Sequence, residues 1–280
     1  MSLTKYIALV TETNRVSTSA LTKAAAALDK QVKRDFSGPW GINASVSAFS
    51  ALEDVPTDYW VVIIQDQIPY NAQGIHLDKD GQPFALVQWS PDWALTSSHE
   101  VLEMLADPFG NRLVAGKSPK PGQGRVNFLV EVCDPSEAAQ FGYTVNGIRL
   151  SDFYFPSFFD PVQASGVRYS FTDAIRMPRQ ILKGGYISWE VPETREWWQQ
   201  TWFSGAKPTF RSLGVFDSAK FSSIRAFIDH NTMEPLKALE KKPAEMLVMA
   251  AGISLVDSVD TAAVGKAKFL KEQIAALLKG

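Results

Sequence analysis

Two periods organise the apolar positions of the first hundred residues. "YIALVTE" (6–12) is an unbroken apolar run of strand length, and "INASVSAF" (42–49) alternates apolar and polar positions. "DYWVVIIQD" (58–66), rich in aromatic and β-branched residues, predicts a central strand. Between the first two strands, Leu21, Ala25, Leu28 and Val32 recur at helical spacing in "STSALTKAAAALDKQVKRDF" (17–36), where Thr18 or Ser19 can cap the helix. "LDKDGQPFALVQW" (77–89) carries an Asp-Gly turn ahead of another apolar run, a hairpin pattern.

A second helix is predicted from about Pro91 to Ala106. Ser90 would be its N-cap, Pro91 and Asp92 its first two positions, and Pro108 forces Asp107 out of helical geometry. A later start is also written in the chain, because Ser97-x-x-Glu100 fits a capping box in which Glu100 would serve only the backbone. The longer helix accounts for Trp93, Ala94 and Leu95, which would otherwise form an apolar loop.

Beyond residue 108 the Gly, Pro and Lys of "FGNRLVAGKSPKPGQGRVN" predict a surface loop. "FLVEVCD" (128–134) predicts a strand, and "YTVNGIRLSDFYFP" (143–156) a hairpin turning at Asn-Gly. Residues 184–202 are rich in aromatics; Trp189, Trp197, Trp198 and Trp202 read as core in preference to a sugar or partner surface. From about residue 204 strand signals fade and helical patterns follow in 217–240 and 243–279. The expectation is an α+β fold: a body over residues 1–203 with a mixed sheet packed on helices, and a mostly helical C-terminal region over 204–280.

Composition narrows the function classes. With 45% hydrophobic and 21% charged residues the 280-residue chain is of ordinary globular type. A net charge of −2 and no basic run give no reason to expect nucleic acid. The single cysteine, Cys133, excludes an internal disulfide and a Cys-rich zinc site, and its acidic surroundings argue for a small buried residue over a nucleophile. The N-terminal apolar run is too short for a signal peptide, and "MLVMAAGISLV" (246–256) falls short of the roughly 20 residues that span a bilayer, so a cytoplasmic protein without membrane contact is expected.

The chemistry concentrates in "SSHEVLEMLADP" (97–108). Residues four apart share a helix face, so His99 and Glu103 can bind one cation while Glu100, about 100° round the helix, serves as a base. A carboxylate in place of a second histidine hardens the site, admitting manganese, iron or calcium besides zinc. Downstream, "EVCDP" supplies Glu131 and Asp134; either can be the third ligand while the other orients His99. Asp107, at i+8 from His99, could reach the same ion as His99 and Glu103, but reads in preference as a helix-terminal residue before Pro. His76 could approach the site from the sheet but reads in preference as an ordinary surface histidine near a hairpin; "DKDG" is too little of a calcium loop, and His230 has no partner in view.

These motifs, with "GIRLSDFYFPSFFDP", "WVVIIQD" and "GQPFALV", resemble a family of bacterial and phage-associated proteins of zincin-like metalloprotease fold that carry His-Glu-x-x-Glu and a downstream Glu-x-x-Asp. Over residues 5–190 the resemblance implies a sheet above the active helix with its edge strand lining a substrate groove. It implies His99 and Glu103 as ligands, Glu100 as base, and Glu131 or Asp134 as third ligand. The expected function is a metal-dependent, peptidase-like hydrolase acting on a peptide or protein. The alternative is a non-catalytic binding or assembly module with a structural or vestigial metal, oligomerising through the helical tail.

Overall fold

The computed structural model describes residues 3–70 and 72–237. Strands β1 (Lys5–Thr11), β2 (Ala44–Ala48), β3 (Tyr59–Gln65), β4 (Gly74–Lys79) and β5 (Gln82–Gln88) form a sheet in the order β2-β1-β3-β5-β4. All neighbours are parallel except the edge strand β4, which returns antiparallel on β5 through the Asp80-Gly81 turn. Both turn residues have positive φ (53° and 77°), as a two-residue hairpin of this twist requires. The strands alternate their side chains between two buried layers. Ile7, Leu9, Val62, Ile64, Ala85 and Val87 face the helices, while Ala8, Val10, Val61, Ile63, Phe84 and Leu86 pack beneath Leu52, Val55 and Ile68.

Helix α1 (Thr18–Lys30) is capped by Ser17, whose Oγ accepts from the Ala20 amide at 3.2 Å, one residue before the caps expected from the sequence. It runs on through a π-helical turn, Gln31–Phe36, into the short α2 (Ser37–Trp40). Gln31 is buried there. It takes a hydrogen bond from Ser98 Oγ (2.8 Å) and donates to the Ser151 carbonyl (3.0 Å), while Ser98 Oγ accepts from the Ser151 amide (3.0 Å). This closed polar network fixes helix α3 (Trp93–Ala106) one residue before His99. Helix α3 starts two residues later than predicted: Asp92 occupies the cap position without a side-chain bond, and Ser90 contributes only its carbonyl, to the Trp93 amide. It lies against β3, β4 and β5 on one side and against the strand Ile148–Leu150 on the other.

A second sheet follows, antiparallel throughout, in the order β12-β11-β10-β7-β6. Its strands are β6 (Leu113–Lys117), β7 (Arg125–Leu129), β10 (Tyr186–Val191), β11 (Glu196–Thr201) and β12 (Thr209–Val215); β8 (Tyr143–Val145) and β9 (Ile148–Leu150) make a separate hairpin around Asn146-Gly147. Three expectations are corrected. The 109–127 loop contains β6, a five-residue edge strand whose mixed exposure gives no apolar signal. The strand predicted over 128–134 ends at Leu129, so Glu131 and Asp134 lie beyond it, Asp134 opening a single 3₁₀ turn. The helical region expected from residue 204 begins instead with β12, which pairs with β11 as a largely exposed edge strand. Helix α4 (Ile224–Lys237) then packs Phe227 and Ile228 against Leu129, Tyr186 and Trp197 of this sheet. The remainder of the predicted helical tail, including 246–256 and all of 243–279, lies outside the described residues. Trp189 and Trp197 are buried as core, and Trp198 and Trp202 are partly covered.

Candidate metal centre

The side chains singled out from the sequence converge. His99 and Glu103, one turn apart on α3, present His99 Nε2 to Glu103 Oε2 at 3.2 Å, and the segment after β7 brings Asp134 Oδ1 to within 3.3 Å of the same nitrogen. Glu131 joins Glu103 and Asp134 in one group of carboxylates. All four are buried. Glu103 is further fixed by its Oε1, which accepts from the Cys133 amide at 3.1 Å. Cys133 itself is fully buried, as expected from the sequence, with its thiol 3.9 Å from the His99 carbonyl; burial pushes its pKa well up.

Two residues that the sequence reading set aside or missed complete the cluster. His76, expected at the surface, is buried on β4. Its Nε2 lies 3.1 Å from the Asp107 carbonyl and its Nδ1 3.5 Å from Glu100 Oε2. The signal available was its place two residues after Gly74 on one face of a strand: a Cβ on Gly74 would sit 2.5 Å from Glu100 Oε1, so only glycine lets β4 approach α3 this closely. Arg225, near the start of α4, was not anticipated at all. Its Nη1 donates to Glu103 Oε2 at 2.8 Å, pairs closely with Glu131 and stands 3.5 Å from Asp134 Oδ2, while its Nε donates to Asp229 Oδ2 at 2.9 Å. The one sequence hint was an arginine four residues before an acid, Arg225 and Asp229, in an otherwise apolar helical start. The loop after α3 anchors it: the Arg225 amide bonds the Gly110 carbonyl and Asn111 Oδ1 accepts from Ile224 N.

Asp107 does not enter the cluster through its carboxylate, which instead accepts from the Arg112 amide at 2.7 Å and holds the turn that ends α3. Glu100 caps nothing: among the described residues Ser97 Oγ and Glu100 Oε2 both lack hydrogen-bond partners, so the capping-box alternative is not realised. His230 packs against Phe221, away from these groups.

Burial sets the electrostatics. It pushes Glu131 well above the ordinary carboxylate range; Arg225 opposes this, and Glu103 and Asp134 reinforce it. Asp134 is raised by burial and then by Glu103. For Glu103, burial acts upward, but His99 and Arg225 prevail and hold it well below its usual value. Burial disfavours the His99 cation, yet Glu103 and Asp134 overcome it and hold its pKa well up. One guanidinium thus faces four carboxylates (Glu103, Glu131, Asp134 and Asp229), an excess of negative charge that a buried site tolerates only with protons or a further cation. Ligand atoms arranged at about 2.1 Å around one ion lie roughly 3–3.5 Å from each other, the spacing found at His99 Nε2. Among the described residues, three buried groups of side chains are close enough together to hold a metal ion: His99, Glu103 and Cys133; His76, Glu100 and Glu103; and Glu103, Glu131 and Asp134. A cavity of about 390 Å³ opens on them, lined by Gly74, Thr96, His99, Glu100, Asp134 and Arg225 among others.

Comparison with protein-family models, with curated proteins and with solved structures finds no match for this chain. The described residues contain no helix long and apolar enough to cross a membrane.

Proposed function

We propose that this protein is a metal-dependent hydrolase of zincin-like type, with His99, Glu103 and Asp134 holding a divalent cation, zinc first among the candidates, and Glu131 supporting them. The observation that carries the reading is the approach of His99 Nε2 to Glu103 and Asp134 at 3.2 and 3.3 Å beside an open cavity. The sheet order supports the zincin-like part: a single antiparallel edge strand, β4, runs beside the helix that bears the His-Glu pair, as the sequence resemblance implies. Bound there, such a cation would act as a Lewis acid and lower the pKa of water.

The protein's own groups have separate tasks in this reading. Glu100 lines the cavity with Oε1 beside Gly74, free of any capping duty, and accepts a proton. Asp134 and Glu103 would supply the carboxylate ligand atoms beside His99 Nε2. β4 is the edge strand of its sheet and the cavity reaches it at Gly74, which makes an extended peptide or protein the favoured substrate. A second reading, a binding or assembly module without catalysis, is favoured by Arg225, whose guanidinium already compensates part of the carboxylate charge.

The test is direct. Protein stripped with chelator and titrated with Zn²⁺ should bind it, and His99→Ala and Asp134→Asn should weaken binding by an order of magnitude or more. Glu100→Gln should remove peptide hydrolysis while the cation at His99 stays bound. Zinc affinity indifferent to both His99 and Asp134 would sink the metal reading; hydrolysis surviving in Glu100→Gln would sink the role of Glu100.

A further inference from the structure

His76 and Glu100 face each other across the junction of β4 and α3, and nothing in the mechanism above uses His76. The Asp107 carbonyl can only accept, so the His76 Nε2 at 3.1 Å from it carries the ring proton. Nδ1 then presents a lone pair. It is completely buried, has no hydrogen-bond partner, and points at two carboxylate oxygens, Glu100 Oε2 at 3.5 Å and Glu103 Oε2 at 3.9 Å. Glu100 Oε2 is itself buried without a hydrogen-bond partner. Lone pairs aimed at one another in a dry interior repel unless a positive charge lies between them.

A histidine whose far nitrogen is anchored to a backbone carbonyl and whose near nitrogen faces carboxylates is the arrangement of a metal ligand with its orienting partner. The three ligand atoms lie within 4.8 Å of one another. His76 and His99 fall in different groups, each with Glu103. Gly74 makes the arrangement possible. It shares a strand face with His76, and its missing Cβ lets β4 press onto Thr96 and Glu100.

We propose that His76, Glu100 and Glu103 form a second divalent-cation site, and that Glu103 is shared between it and the His99–Asp134 site, making the centre dinuclear. The inference rests on the first cation site proposed above. One imidazole nitrogen and two carboxylates suit Mn²⁺, Fe²⁺ or Zn²⁺. Glu100 then has a divided role: Oε2 faces the second cation and Oε1, beside Gly74, faces the cavity.

Manganese tests this without any substrate. Chelator-stripped protein is titrated with Mn²⁺ by calorimetry and followed by electron paramagnetic resonance. Wild-type protein should take up two ions per chain and give an exchange-coupled spectrum, because the two sites share a carboxylate. His76→Gln should bind one ion and give the six-line signal of an isolated Mn²⁺, and Asp134→Asn should weaken the other site. One ion per wild-type chain, unchanged in His76→Gln, would overturn the second site and leave the first intact. No uptake at all would overturn the first site and this inference with it. Two ions with no magnetic coupling would overturn the shared Glu103. Should His76→Gln fail to fold, the wild-type stoichiometry and spectrum decide the matter alone.

Discussion

The two five-stranded sheets bury their residues in different ways. In the first, β1, β3 and β5 run parallel and are covered on both faces, so each is a nearly continuous apolar run. In the second, all antiparallel, β11 alternates buried and half-buried positions, and β6 and β12 are largely exposed edges. The first sheet contributes one ionisable group to the candidate centre, His76 on its edge. The second half of the fold contributes Glu131, Asp134 and Arg225, all outside its strands. A dry sheet is insensitive to pH and cations, because its stability comes from area removed from water. The charged half holds its shape only while its carboxylates are compensated.

The largest effect should come from removing that compensation. Arg225→Met leaves buried Glu103, Glu131 and Asp134 without their guanidinium, and should cost about 3–5 kcal/mol in metal-free protein, measured by urea unfolding. Added Zn²⁺ or Mn²⁺ should restore much of it. A loss under about 1 kcal/mol would show that the cluster is not held by its charges and erase the contrast between the halves.

In the first sheet, Ile63→Ala should cost about 2–5 kcal/mol through a cavity against Leu52, Val55 and Phe84. That loss should be the same at every pH and with or without a cation. If Zn²⁺ rescues Ile63→Ala more than it stabilises wild type, the two halves are not independent.

Proton linkage sharpens the comparison further. Glu131 and Asp134 have raised pKa values in the folded protein, from ordinary values of 4.5 and 3.8, so the native state keeps protons that the unfolded chain releases. The stability they leave at low pH is lost as pH climbs above those values. His99, raised from 6.5, acts in the same sense: its contribution is complete below 6.5 and disappears as pH rises through its folded pKa. Glu103, lowered from 4.5, opposes them and sets the acid limb, its contribution being lost as pH falls below 4.5 through its folded pKa. The Tm of chelated protein should therefore fall as pH rises from about 5 to 8, and Glu131→Gln should flatten the slope. A Tm that rises across this range would contradict the assignment of charge within the cluster.

The smallest effect concerns the seam between the halves. Ser98→Ala breaks the Gln31–Ser98–Ser151 network and leaves the buried Ser151 amide unpaired, which should cost about 1–2 kcal/mol by thermal unfolding. It should also lower Zn²⁺ affinity slightly by loosening α3 beside His99. Unchanged affinity would mean that packing alone places His99.

How far the sequence could be read follows the same division. The first sheet and its helices were legible nearly to the residue, because strands covered on both faces must be apolar throughout and α1 must carry its apolar stripe. Edge strands exposed to water carry little apolar pattern, so β6 lies in a stretch whose composition predicts a loop, and β12 in a region expected to be mostly helical. In the candidate centre, His99, Glu100 and Glu103 are visible through helical spacing, and Glu131 and Asp134 through the acidic pair of "EVCDP" downstream of that helix. His76 was misjudged because burial of a histidine depends on what covers it, here the close approach that Gly74 permits.

By itself the sequence determined local periods, turn chemistry at Asp80-Gly81 and Asn146-Gly147, and the pairing of His99 with Glu103, because each depends on residues a few positions apart. Only the tertiary structure decided that β4 presses His76 onto α3 and that Arg225, 122 residues after Glu103, enters the carboxylate cluster. Such contacts join segments far apart in the chain. Their energy comes from charge compensation in a place that folding itself removes from water, so no local pattern of residues encodes them.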